Sequence, residues 1–355
     1  MSGKVYFAEI AKTKEENLDN LSLLFDKAGF NSLIKKNDLV AVKAHFGEIG
    51  NTAYLKPHFA NKVTEKIKEA GGKPFLTDAN ALYKGGRNNA VDHIETAYQH
   101  GFSFEEVGAP VIISDGLCGR DYVKVPVNLK YFKEVNISSA AYFADSLIAI
   151  SHFKGHEQTG FGGALKNIGM GLGSRSGKQQ MHADIRPVVN EDLCTGCQVC
   201  IKWCPASAIS LTEAGKARID LDKCIGCAEC IASCKFGAIP KSYSEGIKLL
   251  QEKIVEYAYG FLKDKKGKAG FFNFIIDVTP NCDCVSYSDP PIIKDIGILA
   301  SSDPVAIDQA SIDLVNKDGK DRFREIYPYA DWSYQLDYGE KIGLGERAYE
   351  LIKIK

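Results

Sequence analysis

The sequence predicts an α/β protein with a largely parallel sheet flanked by helices, interrupted by a smaller, cysteine-rich α+β domain. Short apolar runs of strand length alternate with segments of helical periodicity in the first half of the chain. The same alternation resumes after a segment that holds most of the eleven cysteines. An insertion into one α/β unit explains this order more economically than three domains in series.

The first half supplies the clearest elements. A helix is predicted in "NLDNLSLLFDKAG", where Leu18, Leu21 and Phe25 share one face, and "LVAVKAHF" is typical of a buried strand. The segment "KPHFANKVTEKIKEAGG" indicates a helix that ends at its two glycines. Two further strands, "KPFLTDA" and "PVIISDG", enclose a helix over residues 89–100, and "SLIAISHF" is one more buried strand.

After the cysteines, the second half of the chain again alternates helix-like and strand-like segments. A long helix is predicted through "EGIKLLQEKIVEYAYGFL", followed by strands in "GFFNFIIDVT" and "DIGILAS". The next helix begins in "SSDPVAIDQASIDLV", with Ser302 as the expected N-cap and Pro304 in the first turn. We therefore expect an α/β domain in two parts, residues 1–186 and 241–355, with an inserted domain at 187–240.

Composition excludes several classes of function. The chain is 45% hydrophobic and 25% charged, which is ordinary for a globular protein, and its formal net charge is -1. This balance provides no excess of positive charge of the kind that binds nucleic acid. We find no apolar segment of signal-peptide or membrane-spanning length, and therefore expect a cytoplasmic protein without membrane insertion. Since cytosolic thiols stay reduced, eleven cysteines there favour metal binding over disulfides.

Two cysteine runs, "CTGCQVCIKWCP" and "CIGCAECIASCK", share the spacing C-x₂-C-x₂-C-x₃-C. This spacing wraps three thiolates around one iron–sulfur cube and sends the fourth to the other cluster. A pair of zinc sites is the alternative, although two C-x₂-C pairs would suffice for a tetrahedral ion. The candidate ligands are Cys194, Cys197, Cys200 and Cys204 in the first run, and Cys224, Cys227, Cys230 and Cys234 in the second.

Residues 188–240 resemble a bacterial two-cluster ferredoxin, including the turns "PASAIS" and "KFGAIP" that close each half. The second half departs from that family at Lys235, where a proline commonly stands. The resemblance implies two [4Fe–4S] clusters with crossed fourth ligands. One cluster would be held by Cys194, Cys197, Cys200 and Cys234, and the other by Cys224, Cys227, Cys230 and Cys204.

The stretch "GHEQTGFGGALKNIGMG" sets His156 and Lys166 on either side of a glycine-rich turn, and His182 follows. One interpretation is a tight turn with a solvated lysine, because glycines are needed there anyway. The other is a ligand-binding loop, since the segment resembles the centre of the nickel-pincer lactate racemases. That resemblance implies a catalytic acid or base at His156, a cofactor-tethering Lys166 and a nickel ligand at His182. The glycines of the candidate loop are Gly160, Gly162 and Gly163.

Nearly the whole chain resembles a family of anaerobe and archaeal proteins described as a domain of unknown function with a ferredoxin-type insert. The stretches that carry this resemblance include "VAVKAHFGE", "SHFKGH", "NCDC" and "DIGILASSDPVAID". In "NCDC", Cys282 and Cys284 would point the same way in an extended chain, as metal ligands, a redox pair or two small apolar groups. His45 ends a predicted strand, where α/β sheets place their ligand crevice.

We expect an iron–sulfur oxidoreductase of anaerobic metabolism, whose clusters exchange electrons with an unidentified ligand in the α/β domain. His45, His156 and Lys166 are its candidate catalytic residues, and His182, Cys282 and Cys284 offer a further metal or redox site. The alternative is a non-catalytic carrier of electrons or clusters that docks on partner enzymes. A racemase-like enzyme with a covalent cofactor on Lys166 is the minor alternative. The expected partner is a redox protein or a small-molecule substrate.

Overall fold

The computed structural model describes residues 3–82, 85–182, 187–204, 206–224, 230, 234, 236, 238–239 and 244–354, without the side chains of residues 244 and 245. The strands are β1 (Gly3–Glu9), β2 (Leu39–Lys43), β3 (Lys73–Asp78), β4 (Val111–Ile113), β5 (Tyr122–Pro126), β6 (Glu134–Ser138), β7 (Ser146–His152), β8 (Lys154–His156), β9 (Gly160–Gly162), β10 (Ile209–Leu211), β11 (Ala217–Ile219), β12 (Ala269–Ile275), β13 (Gly297–Ser301) and β14 (Tyr349–Lys353).

The α-helices are α1 (Lys14–Lys27), α2 (Pro57–Glu69), α3 (Ala90–Gln99), α4 (Phe104–Val107), α5 (Ser139–Phe143), α6 (Ala164–Leu172), α7 (Arg175–His182), α8 (Val199–Trp203), α9 (Ser244–Leu262), α10 (Pro304–Val315), α11 (Arg322–Ile326) and α12 (Ser333–Lys341). A 3₁₀ turn spans Phe30–Leu33. Within the described part of the chain, we find no helix with the length and apolarity that crossing a membrane requires.

Eight strands form the central sheet in the order β14-β1-β13-β12-β7-β2-β3-β4. Neighbours in β12-β7-β2-β3-β4 pair in parallel, and β1 pairs in parallel with β14. Strand β13 runs antiparallel to both β1 and β12. The sheet is therefore largely parallel, as the sequence predicts.

Side chains of successive strand residues enter two different cores. In β7, Leu147 and Ala149 pack with helices α6, α9 and α10, whereas Ile148 and Ile150 pack with α1 and α2 on the other face. This alternation follows from the two-residue period of a strand, and it explains why strands buried on both faces are continuous apolar runs. Helices thus cover both faces of the sheet.

The start of α10 differs from the sequence-based expectation by one residue. Asp303, not Ser302, is the N-cap, and its carboxylate accepts hydrogen bonds from the N–H groups of Val305 and Ala306. Pro304 occupies the first helical turn, as predicted. The carboxylate can take this role because the cap needs only a side-chain oxygen near the first N–H groups.

The cysteine-rich segment, which the sequence predicts to be an insert, contains the short helix α8 and the antiparallel pair β10 and β11. Its buried residues, including Cys200, Ile209 and Ala217, join the same hydrophobic cluster as helices α6 and α9. The described part of the insert therefore packs in continuity with one face of the α/β layers.

Candidate functional site

A cavity of about 940 Å³ lies where several parallel strands end. Lys43 ends β2, Asp78 ends β3 and His152 ends β7, and all three line the cavity. This is the edge at which open α/β sheets bind ligands, and the volume suits a small molecule. The parallel strand order therefore gathers side chains from distant parts of the sequence around one space.

The glycine-rich segment forms a hairpin and a helix beside this cavity. Strands β8 and β9 pair with each other, and α6 begins directly after them. A Cβ atom at Gly155 would lie 2.2 Å from the carbonyl oxygen of Pro280, so only glycine allows the hairpin to approach that loop so closely. The N–H of Gly155 also donates to the carbonyl of Thr279 at 2.8 Å. The hairpin is thus fixed against the loop that carries Cys282.

The three glycines of the candidate loop have different surroundings. Gly162 and Gly163 line the cavity. Gly160 is absent from the described cavity lining, and its φ of 71° serves the hairpin beside Trp332. After Gly163, a carboxylate of α10 caps helix α6, because Asp308 accepts hydrogen bonds from the N–H groups of Ala164 and Leu165. This cap fixes the first turn of the helix that carries Lys166.

Lys166 points to a pair of cysteines across the cavity. Its Nζ lies 3.5 Å from Sγ of Cys282, and both residues line the cavity together with Cys284. We name Cys282, Asp283 and Cys284 the CDC turn. The backbone of Asp283 and Cys284 forms a turn, whereas the sequence predicted an extended chain there. The thiols nevertheless come together, because the turn folds the two cysteines toward each other.

The CDC turn favours a thiolate at Cys282. The hydrogen bond from Cys284 outweighs the opposing effect of burial, and the Lys166 and Lys154 ammonium groups reinforce it, so the pKa of Cys282 is held well below its usual range. The same contact and burial raise the pKa of Cys284 well above its usual range. The pair therefore favours the thiolate at Cys282 and the thiol at Cys284.

A buried carboxylate anchors this turn. Asp283 accepts from Nδ1 of His152 at 2.9 Å and lies 3.1 Å from Nζ of Lys154. Burial alone would raise the pKa of Asp283, but His152 and Lys154 outweigh it and hold that pKa well below its usual range. Both ring nitrogens of His152 face acceptors, since Nε2 lies 2.8 Å from the carbonyl of Ile276. Asp283 thus fixes the turn through its contacts with His152 and Lys154.

The three candidate histidines all line the cavity, where they are kept uncharged. His156 accepts at Nδ1 from the N–H groups of Gln158 and Thr159, which leaves the ring proton of the neutral form on Nε2. Burial lowers the pKa of His156 to about 4 and that of His182, at the end of α7, to about 3. Burial and then Arg87 lower the pKa of His45 well below its usual range. At neutral pH these rings are therefore uncharged.

A second charged cluster was not predicted from the sequence. Lys43 lies 3.1 Å from Asp78 and donates to Asn167 on α6, while Arg87 pairs with Glu48 at 3.2 Å. Burial lowers the pKa of Lys178 in the same cavity to about 8. Lys43 and Asp78 could have been found as charged residues that end parallel strands, which is the edge where such sheets bind ligands.

One cysteine of the cysteine-rich segment, Cys234, lines this cavity. A second, small cavity is lined by four cysteines of the segment, Cys194, Cys197, Cys200 and Cys234. Burial and then the nearby Cys234, Cys197 and Cys194 raise the pKa of Cys200, as expected where thiols crowd one site. The sulfur of Cys194 also accepts from the N–H of Ala217 at 3.3 Å. This donor set fits an iron–sulfur cluster, because four cysteines line one small site and the sulfur of one of them accepts a backbone N–H.

Three further candidate ligands are described and one is not. Cys204 and Cys224 are partly buried and Cys230 is buried, and the sulfur of Cys204 accepts from the N–H of Ala208 at 3.2 Å. Cys227 lies outside the described residues. Cys234 also lines the large cavity, together with Val199 and Trp203 of the insert. The insert and the α/β residues therefore share one space.

Fold and site together define an α/β protein with a cysteine-rich segment beside the cavity at its strand ends. Residues 40–313 match the family model "Domain of unknown function (DUF362)", and the chain belongs to this family. The family resemblance seen in the sequence is thereby confirmed.

A ferredoxin-like segment is also confirmed. The chain is 59% identical over 32 residues to a probable ferredoxin from Methanosarcina thermophila. The match covers 9% of this chain and 55% of that protein, so the chain spans about half the length of the relative. It indicates iron–sulfur binding.

Two solved structures resemble the chain distantly. One is the lactate racemase apoprotein from Thermoanaerobacterium thermosaccharolyticum, with a TM-score of 0.36 and 14% identity over 78% of this chain and 51% of that one. The other is a crystal structure of a Thermotoga maritima protein, with a TM-score of 0.38 and 14% identity over 78% of this chain and 54% of that one. At these scores neither bears on the activity.

We expect the charge of Lys166 to control the reactivity of Cys282. Lys166→Met removes a cation 3.5 Å from the sulfur, which should raise the pKa of Cys282. The rate of alkylation by iodoacetamide is constant above the pKa of the thiol and falls as the pH drops below it. In Lys166→Met this fall should begin about one pH unit higher than in the wild type, so that at lower pH the variant reacts roughly tenfold more slowly. The rate can be followed on tryptic peptide 269–294, in which Cys282 and Cys284 are the only cysteines.

The matched control is Lys27→Met, which removes an exposed lysine at the end of α1 and should leave the profile unchanged. Identical profiles for Lys166→Met and the wild type would show that Lys166 does not set the charge state of Cys282.

Proposed function

We propose that this protein is a cytoplasmic iron–sulfur oxidoreductase of anaerobic metabolism, in which two [4Fe–4S] clusters exchange electrons with a ligand in the large cavity. One observation carries the proposal. Cys234, Val199 and Trp203 of the insert line the same cavity as Cys282 and Lys166 of the α/β part. A ligand in this space would lie between the insert and the charged strand ends.

The cysteines divide between the clusters as the ferredoxin resemblance implies. The first cluster would be held by the four cysteines that line the small cavity, Cys194, Cys197, Cys200 and Cys234. Cys224, Cys227, Cys230 and Cys204 would hold the second. When bound, such clusters supply single electrons. The chain itself provides the binding space, the charges and the hydrogen-bond donors around the ligand.

The cavity suits a small organic anion. Its lining combines the ammonium groups of Lys166 and Lys178 with apolar side chains such as Ile150 and Met170. The amino groups would pair with a carboxylate or phosphate, and the apolar residues would exclude water from the remainder. The Nε2–H of His156 would donate a further hydrogen bond. Chemistry on such a ligand would take place beside Cys234.

The function is tested by anaerobic purification, metal and sulfide analysis, and mass spectrometry of small molecules that remain bound. We expect about eight iron and eight sulfide per chain, with an organic anion released on denaturation. In Met170→Trp, which fills part of the cavity, the anion should be lost while the iron content persists. Leu117→Trp, at an exposed position, is the matched control and should retain both.

The alternatives predict different results. A carrier that only docks on partner enzymes would contain full iron but no anion in either the wild type or Leu117→Trp. Stoichiometric zinc in place of iron would show that the iron–sulfur assignment is wrong. A racemase-like enzyme would show a covalent mass increase on Lys166, whereas the contact with Cys282 favours an unmodified ammonium group.

A further inference from the structure

The CDC turn brings two sulfurs together in a position that the proposed function does not yet use. The sulfurs of Cys282 and Cys284 lie within 4.8 Å of each other and of a ring nitrogen of His156. Cys282 is buried, Cys284 is half-buried, and both line the large cavity. Such a group could bind a metal ion or act as a redox pair, and the surrounding hydrogen bonds distinguish these uses.

The tautomer of His156 opposes a metal site. A neutral histidine that binds a metal through Nε2 carries its proton on Nδ1. Here Nδ1 accepts from two backbone N–H groups, those of Gln158 at 3.1 Å and Thr159 at 3.2 Å. The ring proton therefore lies on Nε2, and neither nitrogen offers a lone pair toward the sulfurs. Within the described chain, no other histidine, cysteine or carboxylate completes a three-ligand group with the two thiols.

The geometry of the turn suits a disulfide between two cysteines that are separated by a single residue. Two residues in a fully extended chain span about 7 Å, at the outer limit for the Cα atoms of a disulfide. The turn at Asp283 and Cys284 shortens this span. Asp283 is fully buried and fixes the turn through His152 and Lys154. The two sulfurs are therefore held close in a defined arrangement.

The charges around the sulfurs suit thiol–disulfide exchange. Lys166 lies 3.5 Å from Cys282, which favours its thiolate, the form that attacks a disulfide. Cys284 is the hydrogen-bond donor of the pair and so keeps its proton. One sulfur is thus a nucleophile and the other can resolve the product.

We propose that Cys282 and Cys284 form a redox-active dithiol that reduces a small acidic disulfide admitted to the cavity. This inference rests on the proposed function for its supply of electrons. The cavity volume of about 940 Å³ favours a small molecule, and Lys166 and Lys178 favour acidic substituents on it.

The reaction balances in two half-cycles. The Cys282 thiolate attacks one sulfur of the substrate, which breaks the substrate S–S bond, forms a mixed disulfide and releases a thiolate that takes a proton from Lys166. Lys166 recovers its proton from solvent. Cys284 then attacks the Cys282 sulfur, which forms the internal disulfide and breaks the mixed one, and the proton of Cys284 passes to the departing thiolate, so that the second thiol is released. Two electrons, which bound iron–sulfur clusters would supply, and one proton would restore the thiolate and thiol, so one disulfide, two electrons and two protons give two thiols.

The first stage of the test asks whether the dithiol reacts. The intact, cluster-containing protein is treated anaerobically with 3,3′-dithiodipropionate, quenched in acid, alkylated and digested. We expect peptide 269–294 to be unalkylated and lighter by two hydrogen atoms, the mark of an internal disulfide. Cys284→Ser should retain a mixed disulfide on Cys282, and Cys282→Ser should retain none. Cystamine, which is cationic, should react at least about tenfold more slowly than the acidic probe.

The second stage asks where the electrons come from. Reduced methyl viologen should restore the dithiol in the wild type and in the control Cys118→Ser, but much more slowly in Cys234→Ser. A disulfide that forms but is reduced equally fast in Cys234→Ser would overturn the route through the clusters and leave the dithiol assignment standing. Independent alkylation of both thiols after treatment, with clusters that still exchange electrons, would overturn the dithiol and leave the proposed function standing. A zinc or nickel ion lost only in Cys282→Ser and Cys284→Ser would likewise overturn it.

Discussion

Replacing Cys234 with serine will remove about four of about eight iron atoms per chain, and the cluster that disappears will be the one held by the first cysteine run. The physical reason is spatial. Cys234 belongs to the second run in sequence, but it lines a small cavity with Cys194, Cys197 and Cys200. A serine oxygen is a poor substitute for a thiolate at a cluster iron, so the cube should be lost or strongly weakened.

The matched variants make this result specific. Cys194→Ser should give the same electron paramagnetic resonance spectrum and iron content as Cys234→Ser. Cys204→Ser should instead resemble Cys230→Ser, because the fourth ligands cross between the runs. Cys118→Ser changes an exposed cysteine outside both runs and should retain all the iron. A spectrum of Cys234→Ser that matches Cys230→Ser would contradict the crossed assignment.

The strands of this fold were predictable where burial on both faces leaves a continuous apolar run. The segments that become β2 and β7 are buried at nearly every position, so their sequences carry a strong signal. The sequence gives no comparable indication that β13 runs antiparallel to its neighbours, or that β14 forms a strand at the edge of the central sheet. All five residues of β14 are partly or fully exposed, and strand direction depends on pairing with distant segments.

The candidate site was predictable only in part. Lys166, His156, His182 and the cysteines stood out because their residue types have recognisable chemistry. Lys43 and Asp78 did not stand out by residue type, and only their positions at the ends of parallel strands could have singled them out. The partnership of Lys154 with Asp283 joins positions 129 residues apart, through the pairing of β12 with β7. Only the strand order brings such residues together, and spacing along the sequence does not encode it.

Asp283→Asn is expected to destabilise the protein by about 3 to 5 kcal/mol, the usual cost of leaving a buried charge without its partner. Asp283 is fully buried and accepts from His152 while lying 3.1 Å from Lys154. Asparagine keeps the shape of the side chain but removes its charge, so Lys154 would remain in the cavity wall unpaired. Urea unfolding of the anaerobically purified protein measures the difference, and Asp19→Asn on the exposed side of α1 should change stability by less than about 0.5 kcal/mol.

The pH dependence follows from the direction of the pKa shift. His152 and Lys154 outweigh burial and hold the folded-state pKa of Asp283 below its usual range, so its stabilising contribution is complete above the ordinary aspartate pKa of about 4. It is lost as the pH falls through the folded-state value, and the difference between Asp283→Asn and the wild type should therefore shrink in acid.

The double variant Asp283→Asn with Lys154→Met should be less destabilised than the sum of the single changes, because the pair is removed together. Additive effects, or a stability difference that stays constant in acid, would mean that this ion pair does not hold the CDC turn in place.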